Sequence, residues 1–151
     1  MERRAGAVDG DGLAVEAEQR QFRYNRALMD VGRRLWREDL DFHAALSAIA
    51  EAGARVLDVE RVNVWRFDPD GMRCLHGVER ADGELRHNPP GFDELLRIDN
   101  TAYAAALPTT RVIRADDVAE AAVTSEPRSP LTDYFGRHRI QSVLDTPVRV
   151  E

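Results

Sequence analysis

The chain contains no lysine: all 21 of its basic residues are arginine. An absence across a whole chain reflects a genome rich in G and C rather than a binding role, and it hints at a bacterial source. Cysteine is nearly missing as well. Cys74 stands alone, so an intrachain disulfide is excluded and nothing points to an oxidising compartment. No apolar run approaches the roughly 20 residues that a membrane span needs. Met1 to Gly12 has Arg3 and Arg4 but no apolar stretch behind them, which excludes a signal peptide. Positive charge is in deficit, 21 bases against 27 acids, for a net charge of -6. That balance argues against nucleic acid as the main partner. The expectation is a cytoplasmic protein with neither a membrane nor a nucleic-acid partner.

What is present suits one ordinary domain with an extension. The chain has 151 residues, 43% hydrophobic and 32% charged. Residues 1–12 hold three Gly among Ala, Asp and Arg and read as a disordered tail. From 13 to 38 no Pro appears, and Tyr24, Leu28, Val31 and Leu35 recur at spacings of four, three and four. That stripe predicts a helix. It packs either on its own domain or on a second copy, as a dimer helix carrying a signal. Arg20, Arg23, Arg26, Arg33 and Arg34 occupy mostly the other faces.

Residues 39–151 read as the domain proper. Asp39 or Asp41 caps a second helix, with the stripe Phe42, Leu46, Ile49, Gly53, Val56 and Leu57. The period then changes to alternation. Val62, Val64, Trp65 and Phe67 predict a strand, Asp68-Pro-Asp-Gly71 a turn, and Met72 to Arg80 an antiparallel return. Phe92 to Ile98 predicts a helical turn. Asn100 or Thr101 caps a short helix that Pro108 stops. Arg111 to Ala115 reads as a strand. Ser129 caps a helix with Pro130 at its first position. A last strand runs from about Gln141 to Val150. Such a strand needs a partner, and none follows Glu151, so the reading is of a domain cut before its end.

Three segments carry a likeness to a known family. They are Ala54-Arg-Val-Leu-Asp58 leading into Val62-Asn-Val-Trp-Arg-Phe-Asp68, Tyr103-Ala-Ala-Ala-Leu107 followed by Val112-Ile-Arg-Ala-Asp-Asp117, and Leu131-Thr-Asp-Tyr-Phe-Gly136 with Ile140-Gln-Ser-Val-Leu-Asp-Thr-Pro147. In order and spacing the chain resembles a GAF domain, the small-molecule sensor module of signalling proteins. The resemblance implies an α+β fold: a central antiparallel sheet with helices on its faces, preceded here by the long helix. It also implies a further strand and a C-terminal helix that this chain lacks.

The resemblance further implies where chemistry is absent. Family members that reduce free methionine sulfoxide need several cysteines, since one thiolate attacks and another thiol resolves the sulfenic acid. Cys74 alone does not suffice. Bilin-binding members carry a Cys where this chain has Ser129, Pro130 and Leu131. Cyclic-nucleotide-binding members have an Asn-Lys pair ahead of Phe-Asp-Glu; Phe92-Asp93-Glu94 is present, but lysine is not. His43, His76, His87 and His138 lack the paired spacing of a metal site. No catalysis, metal or known cofactor is expected.

By position, the residues lining a family ligand site are Trp65, His76, Tyr103, Asp116, Tyr134 and His138, rings for contact area and His or Asp to orient a polar group. Each ring can equally be a core aromatic. The function that follows is a regulatory sensor in a bacterial signalling protein of the histidine-kinase or diguanylate-cyclase type. It would bind a small molecule or answer a partner, and would dimerise through Tyr24, Leu28, Val31 and Leu35. A ligand-free structural dimerisation module and a non-functional fragment are the alternatives.

Overall fold

The computed structural model describes residues 10–36, 41–99 and 101–149, with backbone alone at 10 and 11. The expected tail falls largely on residues 1–9, outside that description. The first helix, α1 (Gly10–Leu35), begins three residues ahead of the expected start, and residues 37 and 38 also lie outside. Then come α2 (Phe42–Leu57), β1 (Arg61–Asp68), β2 (Gly71–Ala81), β3 (Glu84–His87), β4 (Leu95–Leu96), α3 (Ala102–Ala106), β5 (Ile113–Ala115), α4 (Pro130–Arg137) and β6 (Val143–Asp145). This is an α+β fold with antiparallel sheet, flanking helices and a long N-terminal helix.

The elements start where side chains satisfy orphan helix N–H groups. Asp41 accepts from the Ala44 N–H at 2.7 Å, Thr101 from Ala104 at 3.1 Å and Ser129 from Thr132 at 3.1 Å. α2 ends on Asp58 in the left-handed conformation. Two compact units result, one of residues up to 64 with 76–92, the other of 65–75 with 93 onward.

In the first unit α1 packs against α2. The half-buried positions of α1 are Tyr24, Ala27 and Val31, three and four apart, with Gly32 next to Val31. Leu28 and Leu35, the other half of the expected stripe, are exposed. α2 also turns a different face inward than its large apolar residues suggest. Leu46, Ala48, Ala50 and Ala54 are buried, while Phe42, Ile49 and Leu57 are exposed. The reason is thickness. Ala50 and Ala54 let the helix axis lie close over Val78, Val62 and Leu85, which larger side chains would hold off. β3 pairs with the end of β2, Val78 opposite His87 and Ala81 opposite Glu84. Asp82 and Gly83, both at positive φ, make the tight turn between them.

The second unit holds the larger core: Met72, Leu96, Ile98, Tyr103, Ile113, Ala115, Val118, Leu131, Tyr134 and Phe135. The helical turn expected over Phe92 to Ile98 is instead a turn followed by β4, which pairs antiparallel with the start of β2. That pairing drives Leu96 into the core with 1% of its surface exposed. Burial of one large side chain, worth about 1.5–3 kcal/mol, outweighs the local turn preference.

Among the described residues the strands form two sheets rather than one. The larger has the order β1-β2-β3, with β4 also on β2; the smaller pairs β5 with β6, Ile113 opposite Asp145. The final strand is shorter than the expected Gln141–Val150. Pro147 has no N–H to give a ladder. Beyond it, the Arg149 guanidinium turns to the carbonyls of Leu107 and Thr110, at 2.8 and 3.1 Å.

Candidate functional site

Four of the expected lining residues lie around α4 and its neighbours in the second unit. Ser129 and Pro130 start that helix, and its period places Leu131, Tyr134 and Phe135 on one buried face. Trp65 meets Tyr134 edge-on, ring centroids 5.6 Å apart at 81°. Such a contact adds about 0.5–1.5 kcal/mol beyond area burial. The His138 ring, at the helix end, also lies against Tyr134, centroids 4.4 Å apart. Its Nε2 is 3.8 Å from Glu94, which also accepts from Arg137. Trp65, Tyr134, His138 and Glu94 therefore form one connected row.

Tyr103 belongs to the same core but does a different job. Its hydroxyl donates to Asp145 of β6 at 2.7 Å, tying α3 to the smaller sheet. Burial pushes the phenol pKa up, and the Asp145 charge pushes it the same way. Burial also raises the Asp145 carboxyl above its ordinary value, against the Tyr103 hydrogen bond, which lowers it. Asp116 is not brought to these rings. It is exposed and held by the Arg114 guanidinium through two bonds of 2.8 Å, chiefly through which its carboxyl is lowered.

The helix-and-strand order, the long first helix and the antiparallel pairing agree with the resemblance drawn from sequence. A family model described as GAF domain matches residues 41–151. The chain belongs to the GAF family. No curated protein and no solved structure matches it significantly. GAF domains are sensor and regulatory modules and are typically non-catalytic. Among the described residues no group of three or more His, Cys, Asp or Glu is arranged to hold a metal ion, and no helix is long and apolar enough to cross a membrane. The single cysteine, Cys74, is buried in β2.

The sixth expected residue, His76, sits in the other unit of this GAF domain. It is buried on β2, with Nε2 3.3 Å from Nδ1 of His87. His87 in turn approaches Ser47 at 3.3 Å and Glu51 at 3.4 Å, both on α2. Burial holds the His76 pKa below 6.5, helped by His87 and His43 and opposed by Glu51. A histidine with a lowered folded pKa binds its proton more readily when unfolded. Stability is therefore retained above pH 6.5 and lost as pH falls through that value. Thermal melts from pH 8 to pH 5.5 are expected to show this loss, and His76→Gln to reduce its slope. A slope equal in both proteins would remove His76 as the cause.

A cleft of about 420 Å³ opens in the second unit of the GAF domain, lined by Phe67, Asp68, Gly71, Ile98, Asp99, Ala104, Leu107, Pro108, Pro147, Val148 and Arg149. None of the six expected lining residues borders it. Three participants escaped the sequence reading. Asp145 was visible as an acid inside an apolar strand. Glu94 stood in the Phe92-Asp93-Glu94 triplet and His87 among four histidines without metal spacing, and neither position signalled its partner.

Proposed function

We propose that this GAF domain is a non-catalytic regulatory module of a bacterial signalling protein of the histidine-kinase or diguanylate-cyclase type, working in the cytoplasm. It passes a change in helix packing through α1 to an output domain. The observation that carries the reading is α1 itself. Its Tyr24 and Val31 side is half-buried, while Leu28 and Leu35 remain exposed. A helix with one face on its own domain and apolar side chains left over suits a homodimer whose packing has two states. A signal then needs only a ligand or partner with different affinity for the two. The ligand on this reading is a small molecule that contacts the Trp65, Tyr134 and His138 rings.

A second reading, a ligand-free dimerisation module, is favoured by one observation. Trp65, Tyr103 and Tyr134 all pack into the second unit's core. Native mass spectrometry of the purified chain separates the two. A dimer with a stoichiometric adduct supports the sensor and gives the ligand's mass; a bare dimer favours the structural module. Leu28→Asp with Val31→Asp is expected to abolish the dimer and change the parent protein's output. An unchanged oligomeric state and output would remove α1 from the mechanism.

A further inference from the structure

His76 and His87 stand 11 residues apart in the chain, and the β2–β3 hairpin brings them together. Val78 pairs with His87. His76, two residues before Val78, therefore shares that face of the sheet and lies diagonally across from His87. Val78 packs against Ala50 and Ala54, so this is the face under α2. Asn88 extends the pairing beyond β3. Its N–H donates to the Gly77 carbonyl at 2.7 Å, and its side-chain oxygen accepts from the Gly77 N–H at 3.1 Å. The backbone beside both histidines is thereby held.

The rings bring one nitrogen each together. Nε2 of His76 is 3.3 Å from Nδ1 of His87. That is long for a hydrogen bond. It matches the edge of a metal tetrahedron: two nitrogens each about 2.0–2.1 Å from a tetrahedral ion stand about 3.3–3.4 Å apart. Glu51 supplies a second requirement. Its carboxylate lies 3.4 Å from Nε2 of His87. It holds the ring proton on that nitrogen and leaves the Nδ1 lone pair for the other side. A carboxylate behind the ring is the common orienting partner of a metal-binding imidazole. Ser47, one turn before Glu51 on the same face of α2, sets its hydroxyl 3.3 Å from the same Nδ1. His76 is 5% exposed, whereas the His87 side chain keeps 40%. One nitrogen is fixed in the interior, and the other is reached from solvent.

We propose that His76 and His87 form a binding site for a nitrogen-preferring divalent transition-metal ion, zinc fitting best, with Glu51 orienting His87 and water completing the coordination. Imidazole suits zinc, copper and nickel, and not the oxygen-preferring calcium or magnesium. Two protein ligands fall short of the three or four that lock a zinc ion in place, so the bound ion exchanges with solution. The site lies wholly within the first unit. It depends neither on a ligand at the rings of the second unit nor on the pairing of α1.

Isothermal titration calorimetry of the full chain with zinc, after EDTA treatment and dialysis, tests it. One saturable site per chain is expected, with no matching heat from magnesium. His87→Gln, at an exposed position that circular dichroism checks for folding, is expected to abolish that site. Glu51→Gln keeps both nitrogens and is expected to weaken binding about tenfold or more. Cys74→Ala is expected to leave it unchanged. No saturable zinc binding, or binding that His87→Gln leaves intact, would overturn the site. Full affinity in Glu51→Gln would overturn the orienting role. Ring-nitrogen NMR gives a readout without any substitution: zinc is expected to shift the His76 and His87 signals. Shifts confined to His43 and His138 would overturn the assignment.

Discussion

Gly71→Ala is expected to destabilise the domain by about 3 kcal/mol or more. Two independent costs add at this position. Gly71 has a φ of +140°, where an L side chain is strained. A Cβ built there would lie 2.4 Å from the Leu96 carbonyl oxygen, which is backbone and cannot swing aside. Relief would need β4 to move off the start of β2, and that would withdraw Leu96 from the core. Urea unfolding of the two proteins measures the difference. A loss below about 1 kcal/mol, the ordinary cost of a single substitution, would show that the β2–β4 contact is looser than described. Gly83→Ala is the control. It shares a positive φ, +82°, but nothing lies within 4 Å of the added Cβ, so it should cost only the strain.

Tyr103→Phe should cost about 1.5–3 kcal/mol at neutral pH, the range for a hydrogen bond to a charged group. The change removes the hydroxyl that donates to Asp145 and leaves a buried carboxylate without that donor. The pH dependence identifies the cause. Burial raises the folded pKa of Asp145 above its ordinary 3.8, and the Tyr103 hydrogen bond opposes the rise. A carboxyl with a raised folded pKa contributes stability that is full below its unfolded pKa and is lost as pH rises through the folded one. Without the hydroxyl the folded pKa climbs further. The gap between Tyr103→Phe and the parent should therefore be widest at pH 7 and narrow toward pH 4. A gap that stays constant across that range would mean the loss comes from packing and not from the charge. Asp145→Asn keeps an acceptor without a charge to bury, so it should lose less than Tyr103→Phe.

Taken alone, the amino-acid sequence determined the helices and the first hairpin, and neither β3 nor β4. Ser129-Pro130, the pair Asn100 and Thr101, and the pair Asp39 and Asp41 marked helix starts because capping chemistry is local: one side-chain oxygen reaches an N–H two or three residues on, and the structure picks Thr101 and Asp41. The alternation Val62 to Phe67, with Asp68-Pro-Asp-Gly71 behind it, marked the first hairpin for the same reason. Order and spacing then sufficed for the family, since they follow the chain and not its contacts. Tertiary structure decided what depends on distant partners. Leu95–Leu96 became a strand because β2 lay ready to pair with it, though its local pattern suggested a turn of helix. α2 turned its small residues inward because closeness to the sheet buries more than its larger stripe would. The six expected lining residues were separated likewise. Trp65, Tyr134 and His138 share a row, Tyr103 binds Asp145, Asp116 faces out with Arg114, and His76 lies beside His87. Periodicity indicates which residues share a face of one element. Which face meets which neighbour is set by packing across elements, and no local spacing encodes it.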